Sequence, residues 1–183
     1  PVIDLVSGRC VAAEALLRWQ DTSQGLLFPS DFLSVAEESG LIAQIGNWTL
    51  TQACKQAKQW EKAGLNVLPI VVNISGLHLK QRNVYHMINR SLEASRLDPR
   101  HLEIEVSERV ITKEIAFALN VFGRLHQLGV RVAVKDYGTA YSSLLDLRRL
   151  SLDAVKIDPA LIREVPHNAD YTAIVGAIIA LAH

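Results

Sequence analysis

The chain alternates short apolar runs with longer stretches of helical spacing. Five runs read as strands: residues 9–18, 69–74, 101–107, 130–135 and 153–157. Helices are predicted over residues 29–38, 41–63, 81–95, 113–128, 141–147 and 168–182. Pro29-Ser30-Asp31-Phe32 has the proline and acidic residue of a helix start. Gly64 and Gly129 stand where left-handed glycines end helices. Alternation of this kind implies parallel strands joined by right-handed crossovers.

Each strand is apolar along its body and polar at its C-terminal end. Glu14 and Arg18 come late in the first, Asn73 and Ser75 in the second, and Glu105 and Glu108 in the third. Lys135 and Asp136 end the fourth, and Lys156 and Asp158 the fifth. Period-two alternation puts Leu102, Ile104 and Val106 on one face and Glu103 and Glu105 on the other. The apolar face then packs under helices and the acidic face points into a barrel or crevice. Parallel α/β folds carry their chemistry at the carboxyl ends of strands. Five polar ends on one rim fit a (β/α)8 TIM-type barrel better than an open sheet.

Composition narrows the class. A chain of 183 residues with 49% hydrophobic and 21% charged residues makes one globular domain. Lys plus Arg equals Asp plus Glu at 19 each, so no basic excess points to nucleic acid. Cys10 and Cys54 read as two buried thiols of a reducing, cytoplasmic compartment. No cysteine or histidine spacing suits zinc, and no apolar run is long enough to span a bilayer. The start at Pro1 and the end inside an apolar segment suggest a piece of a longer protein.

As one site, the strand ends offer Glu14, Asn73, Glu105 and Asp136, hard oxygen donors suited to Mg²⁺ or Mn²⁺. Arg18, read on the same strand face as Glu14, suits an anion such as phosphate. Lys156 suits orienting a water or neutralising developing charge. Metal-assisted phosphoester hydrolysis is the reaction such a set serves. Each residue also has a plainer reading. Asn73 serves equally to satisfy backbone groups, Arg18 to stack on Trp19, Lys156 and Asp158 to pair at a strand end, and Asp136-Tyr137-Gly138 to turn the chain. A glycosidase using Glu103 and Glu105 is disfavoured, because both acids lie on one strand.

Six motifs in order give a resemblance over essentially the whole chain. They are Glu14-Ala15-Leu16-Leu17-Arg18-Trp19, Pro29-Ser30-Asp31-Phe32 with Ala36-Glu37-Glu38-Ser39-Gly40-Leu41-Ile42, and Val72-Asn73-Ile74-Ser75. Glu105-Val106-Ser107-Glu108, Tyr137-Gly138-Thr139-Ala140-Tyr141-Ser142-Ser143-Leu144 and Val155-Lys156-Ile157-Asp158 complete them. Together they resemble the EAL domains, the cyclic-di-GMP phosphodiesterases. The resemblance implies a (β/α)8 barrel with an antiparallel first strand, and hydrolysis of cyclic-di-GMP to the linear dinucleotide with two Mg²⁺ or Mn²⁺ ions. By motif match Glu14, Asn73 and Glu105 would hold the first metal and Asp136 would contact the second. Lys156 would assist the attacking water, Glu108 would brace the loop after the fourth strand, and Arg18 and Leu16 would contact the ligand. The resemblance also implies a homodimer through residues 137–148, and flanking sensory or cyclase domains in a parent protein that is cytoplasmic or membrane-tethered. Residues 1–183 would form a single, incomplete barrel, from the end of the first strand to the helix before the last strands.

One residue departs from the family. The EAL loop normally carries two consecutive aspartates, and here Lys135 precedes Asp136. Lys135 thus replaces a carboxylate that bridges both metals. At ~4 Å, like charges repel by roughly 4 kcal/mol per unit charge at an effective dielectric of 20, and a dication doubles that. Lys135 is therefore expected to take the metal's place and neutralise Glu14 and Glu105, turning a hydrolase into a cyclic-di-GMP sensor. An active phosphodiesterase that tolerates Lys135, and an interaction module that binds no ligand, remain open alternatives.

Overall fold

The computed structural model describes residues 1–79, 83–139 and 149–182. Its frame is a six-stranded sheet in the order β1 (Val2–Ile3), β2 (Cys10–Ala15), β5 (Ile70–Asn73), β6 (Leu102–Ser107), β7 (Arg131–Tyr137) and β8 (Ala154–Ile157). β1 pairs antiparallel with β2, and every later neighbour pair is parallel. The sheet curls into part of an α/β barrel, the TIM-type architecture expected. A separate antiparallel hairpin, β3 (Trp19–Asp21) with β4 (Gly25–Leu27), follows β2.

Helices cover the outer face: α1 (Pro29–Glu38), α2 (Ile42–Lys62), the short α3 (Gly76–Leu79), α4 (Val84–Ser95), α5 (Glu108–Lys113), α6 (Ile115–Leu128), α7 (Pro159–Glu164) and α8 (Ala169–Ala182). The core lies between sheet and helices. Ile70, Val72, Ile104, Val106, Val132 and Val134 meet Leu50, Ile88, Phe122 and Leu125 there. Strand period two sends these residues outward and leaves the polar set inside. Gly129 ends α6 at φ 92, a left-handed cap that costs a glycine little.

The first strand stops at Ala15 rather than residue 18, and the β3–β4 hairpin was not expected. The helix predicted over 113–128 begins at Ile115, and the separate α5 before it, ending ahead of Glu114 (φ −131), was not expected. α7 was missed, although Asp158 caps it by accepting the Ala160 N–H at 2.7 Å and Pro159 opens it. Cys54 is buried as expected and its thiol is pushed up to about 12 by burial, but Cys10 is exposed. The predicted helix over 141–147 lies outside the described residues, as does residue 81 at the start of another. No described helix is long and apolar enough to cross a membrane.

Candidate active site

The inner face of the sheet carries a polar layer because alternation puts every second residue there. Glu14 on β2 is level with Val71 on β5, and Asn73 with Glu105 on β6. Ser107 on β6 pairs in register with Lys135 on β7. One layer down, Glu103 Oε2 lies 3.4 Å from Arg131 Nε. Glu103 and Glu105 are 5% and 1% exposed, so the acidic face of β6 points inward as its alternation requires.

Three strands share charge at the rim. The Lys156 ammonium lies 2.5 Å from Glu105 Oε1 and 3.5 Å from Glu14 Oε2. The shorter contact is an ion pair without the direction of a hydrogen bond. Asn73 Nδ2 donates to Glu14 Oε1 at 2.8 Å. Burial pushes the Glu105 carboxyl above its ordinary value, against the adjoining Lys156 and the more distant Lys135, with Glu14 adding to the rise. Burial pulls Lys156 down, but Glu105 and Glu14 more than offset it and hold the ammonium above its ordinary value. The expectation that Lys135 neutralises these carboxylates holds only at longer range, through its pull on Glu105. Lys156 makes both contacts, and Lys135 ion-pairs with no carboxylate among the described residues.

The end of β7 is irregular. Val134 pairs with Val155 and Tyr137 with Ile157, so β7 spends one more residue than β8 between the two pairs. This bulge falls on Lys135-Asp136, and Asp136 has φ 56. A left-handed aspartate is tolerated but uncommon, and bulges re-aim side chains beside active sites. The bulge also lets Tyr137 return to the buried outer face. The loop beyond is held by Glu108, 1% exposed, whose Oε2 accepts the Gly138 and Thr139 N–H groups at 2.9 and 3.1 Å. Thr139 Oγ1 donates to the Asp136 carbonyl at 2.9 Å. Gly138 has φ 98, and a Cβ there would strike Leu161 of α7.

A cleft of about 490 Å³ opens above this layer, lined by Glu14, Leu16, Asn73, Lys135 and Asp136 on the sheet side and by α1 and α2 opposite. Leu16 is 59% exposed at its mouth. Arg18 does not share a strand face with Glu14, because β2 has ended. Its guanidinium donates to the Leu17 carbonyl at 2.6 Å and sits 4.7 Å over the Phe28 ring. Trp19 packs edge-on against Phe32 instead of under Arg18.

The donor set fits one hard cation. Asn73 Oδ1 is a buried acceptor without a hydrogen-bond partner, and Glu105 Oε1 is a buried carboxylate oxygen met by the Lys156 ammonium; both are oxygens of the kind a Mg²⁺- or Mn²⁺-type site uses. Lys156 supplies positive charge to the same carboxylates. Among the described residues no three His, Cys, Asp or Glu side chains cluster as ligands.

A family model for the EAL domain matches residues 1–183. This chain belongs to the EAL family. The EAL domain is 39% identical over 181 residues to the bifunctional diguanylate cyclase/cyclic di-GMP phosphodiesterase MucR of Pseudomonas aeruginosa, covering 99% of this chain and 26% of that protein. It is 35% identical over 175 residues to the cyclic di-GMP phosphodiesterase PdeR of Escherichia coli, covering 96% of this chain and 26% of that protein. The EAL domain thus spans about a quarter of the length of these relatives. Among solved structures, the MucR phosphodiesterase in complex with c-di-GMP superposes with a TM-score of 0.91 at 40% identity, covering 95% of this chain and 70% of that one. The FimX EAL domain of Pseudomonas aeruginosa, bound to c-di-GMP, shares the fold with a TM-score of 0.82 at 23% identity, covering 92% of this chain and 67% of that one.

Proposed function

We propose that this EAL domain binds cyclic-di-GMP in the cleft above the β-strand ends and that Lys135 impairs its hydrolysis. One observation carries the reading: Lys135 lies in the β7 bulge at the cleft wall, between Ser107 and Asp136, where the family has an acidic ligand. With Lys156 it sets two ammonium groups against the three carboxylates of Glu14, Glu105 and Asp136. One net negative charge is left, too little to hold two dications side by side.

Glu14, Asn73 and Glu105 would hold a first cation, and Asp136 would face a second. Mg²⁺ or Mn²⁺ would supply Lewis-acid activation of water and of the phosphoryl oxygens. Lys156 is set to neutralise charge beside Glu14 and Glu105, and Glu108 to hold the Asp136 loop through two backbone amides. Leu16 would cover the ligand at the cleft mouth, and Arg18 would leave Phe28 to reach a phosphate. Dimerisation through residues 137–148, a cytoplasmic site of action and flanking cyclase or sensory domains belong to the same proposal.

A second reading, an active phosphodiesterase, is favoured by the unpartnered Asn73 Oδ1. Calorimetric titration of cyclic-di-GMP with chelator or Mn²⁺, with chromatography of the products, separates the two. Binding in chelator without turnover supports the sensor. Mn²⁺-dependent linear dinucleotide overturns it, and absence of binding overturns both.

A further inference from the structure

We infer that His78 is a positioning residue for the cleft: it pins the strand end that carries Asn73 against the opposite wall. The inference rests on the reading of the cleft as a cyclic-di-GMP site.

His78 lies on α3 and is 1% exposed, unusual for an imidazole on a four-residue helix at a cleft wall. Its Nε2 lies 2.7 Å from the Ala43 carbonyl beside the start of α2. A carbonyl only accepts, so Nε2 carries the proton and donates. The ring enters a notch made by Gly46, where a Cβ would overlap it. Gly46 has no positive φ, so this glycine serves close approach and not a turn.

The pin acts on Asn73 through few intermediates. The His78 N–H donates to Ser75 Oγ at 3.2 Å, and the Leu79 N–H to the Ser75 carbonyl at 2.9 Å. On the other side, the Ile74 N–H donates to the Glu105 carbonyl at 2.8 Å. Asn73-Ile74-Ser75 is therefore held by β6 on one side and by α3 on the other. α3 is in turn fixed to α2 by the imidazole. Ile45, Gly46 and Thr49 of α2 and Asn73, Ser75 and His78 line the same cleft. Fixing the two walls fixes where Asn73 aims its unpartnered Oδ1 and how firmly Nδ2 holds Glu14.

The test compares wild type with His78→Gln, His78→Phe and Gly46→Ala by calorimetry of cyclic-di-GMP in chelator, with a circular dichroism melt of each. Gln retains an N–H for the Ala43 carbonyl and should bind close to wild type. Phe lacks the donor, and Gly46→Ala expels the ring. Both should weaken binding by about 10- to 100-fold, as loss of supporting partners does, while keeping the folded spectrum. Wild-type affinity in either overturns the inference. If both fail to fold, the wild type decides by ¹⁵N-histidine NMR, with His78 assigned by its loss in His78→Gln. A protonated Nε2 whose proton exchanges more slowly once cyclic-di-GMP is bound supports the pin. A protonated Nδ1, or exchange unchanged by ligand, overturns it. If wild type binds no cyclic-di-GMP, the reading of the cleft fails separately. The pin is then decided by amide exchange at residues 73–75, expected faster in His78→Phe, or in Gly46→Ala if only that variant folds, than in His78→Gln. Equal rates overturn it.

Discussion

Removing the Lys156 ammonium is the perturbation whose size the structure sets best. Lys156 lies 2.5 Å from Glu105 and 3.5 Å from Glu14, and Glu105 is 1% exposed. At an effective dielectric of 20, the longer contact alone has a gross attraction of ~5 kcal/mol. Most of this is offset by the desolvation of both partners. Breaking a buried pair by deleting one partner typically costs ~3–5 kcal/mol, because the other charge stays uncompensated. Lys156 is itself 31% exposed and Glu14 29%, so water reaches part of the cluster and the lower end applies. Lys156→Met should therefore lose about 2–3 kcal/mol in chelator, a fall in Tm of roughly 5–10 °C for a domain of this size. Adding Glu105→Gln removes the stranded charge and should recover most of the loss. Thermal melts of wild type, the single variant and the double variant measure both effects. An unchanged Tm in Lys156→Met, or a double variant no more stable than the single, would show that the Lys156 ammonium does not hold the buried Glu105 charge in place.

Lys135→Asp should restore Mn²⁺-dependent turnover of cyclic-di-GMP if Lys135 is the lesion, and continued inactivity with intact ligand binding would place it elsewhere. Gly138→Ala should cost about 1–3 kcal/mol in a melt, because φ 98 disfavours alanine and its Cβ meets Leu161; an unchanged Tm would show that the loop adapts. Burial raises the Glu103 carboxyl above its ordinary value, against Arg131 and Lys156. A raised carboxyl contributes stability present below its unfolded value of 4.5 and lost as pH rises through the folded one. Glu103→Gln should thus gain in Tm relative to wild type between pH 4 and pH 8, and a relative loss over that window would contradict the sign.

Much of the fold is legible because it depends on local period. β5, β6, β7 and β8 are rich in β-branched residues with polar residues at or beside their C-terminal ends, and the four differ from their predicted ranges by two residues or fewer at either end. α1 and α2 carry a proline start and a glycine stop that propensity and capping explain. What was missed is either too short for a period or set by distant partners. β3 and β4 have three residues each, and α7 has six behind an Asp-Pro start that was there to be read. Glu14, Asn73 and Glu105 were placed together correctly by their strand-end positions. Which lysine reaches them was not legible. Lys135 and Lys156 both sit at strand ends, and the bulge that decides between them is a matter of β7–β8 register. Arg18 illustrates the same limit: its helpful spacing from Glu14 assumed a strand that ends three residues earlier.

Titration of the protein with cyclic-di-GMP in chelator and then with Mn²⁺, while following the product, decides whether this domain reads its ligand or cleaves it. With Lys135 impairing hydrolysis, the expected result is saturable, metal-independent binding, no linear dinucleotide and no second cation site. Two-site Mn²⁺ binding with hydrolysis while Lys135 is in place would contradict it.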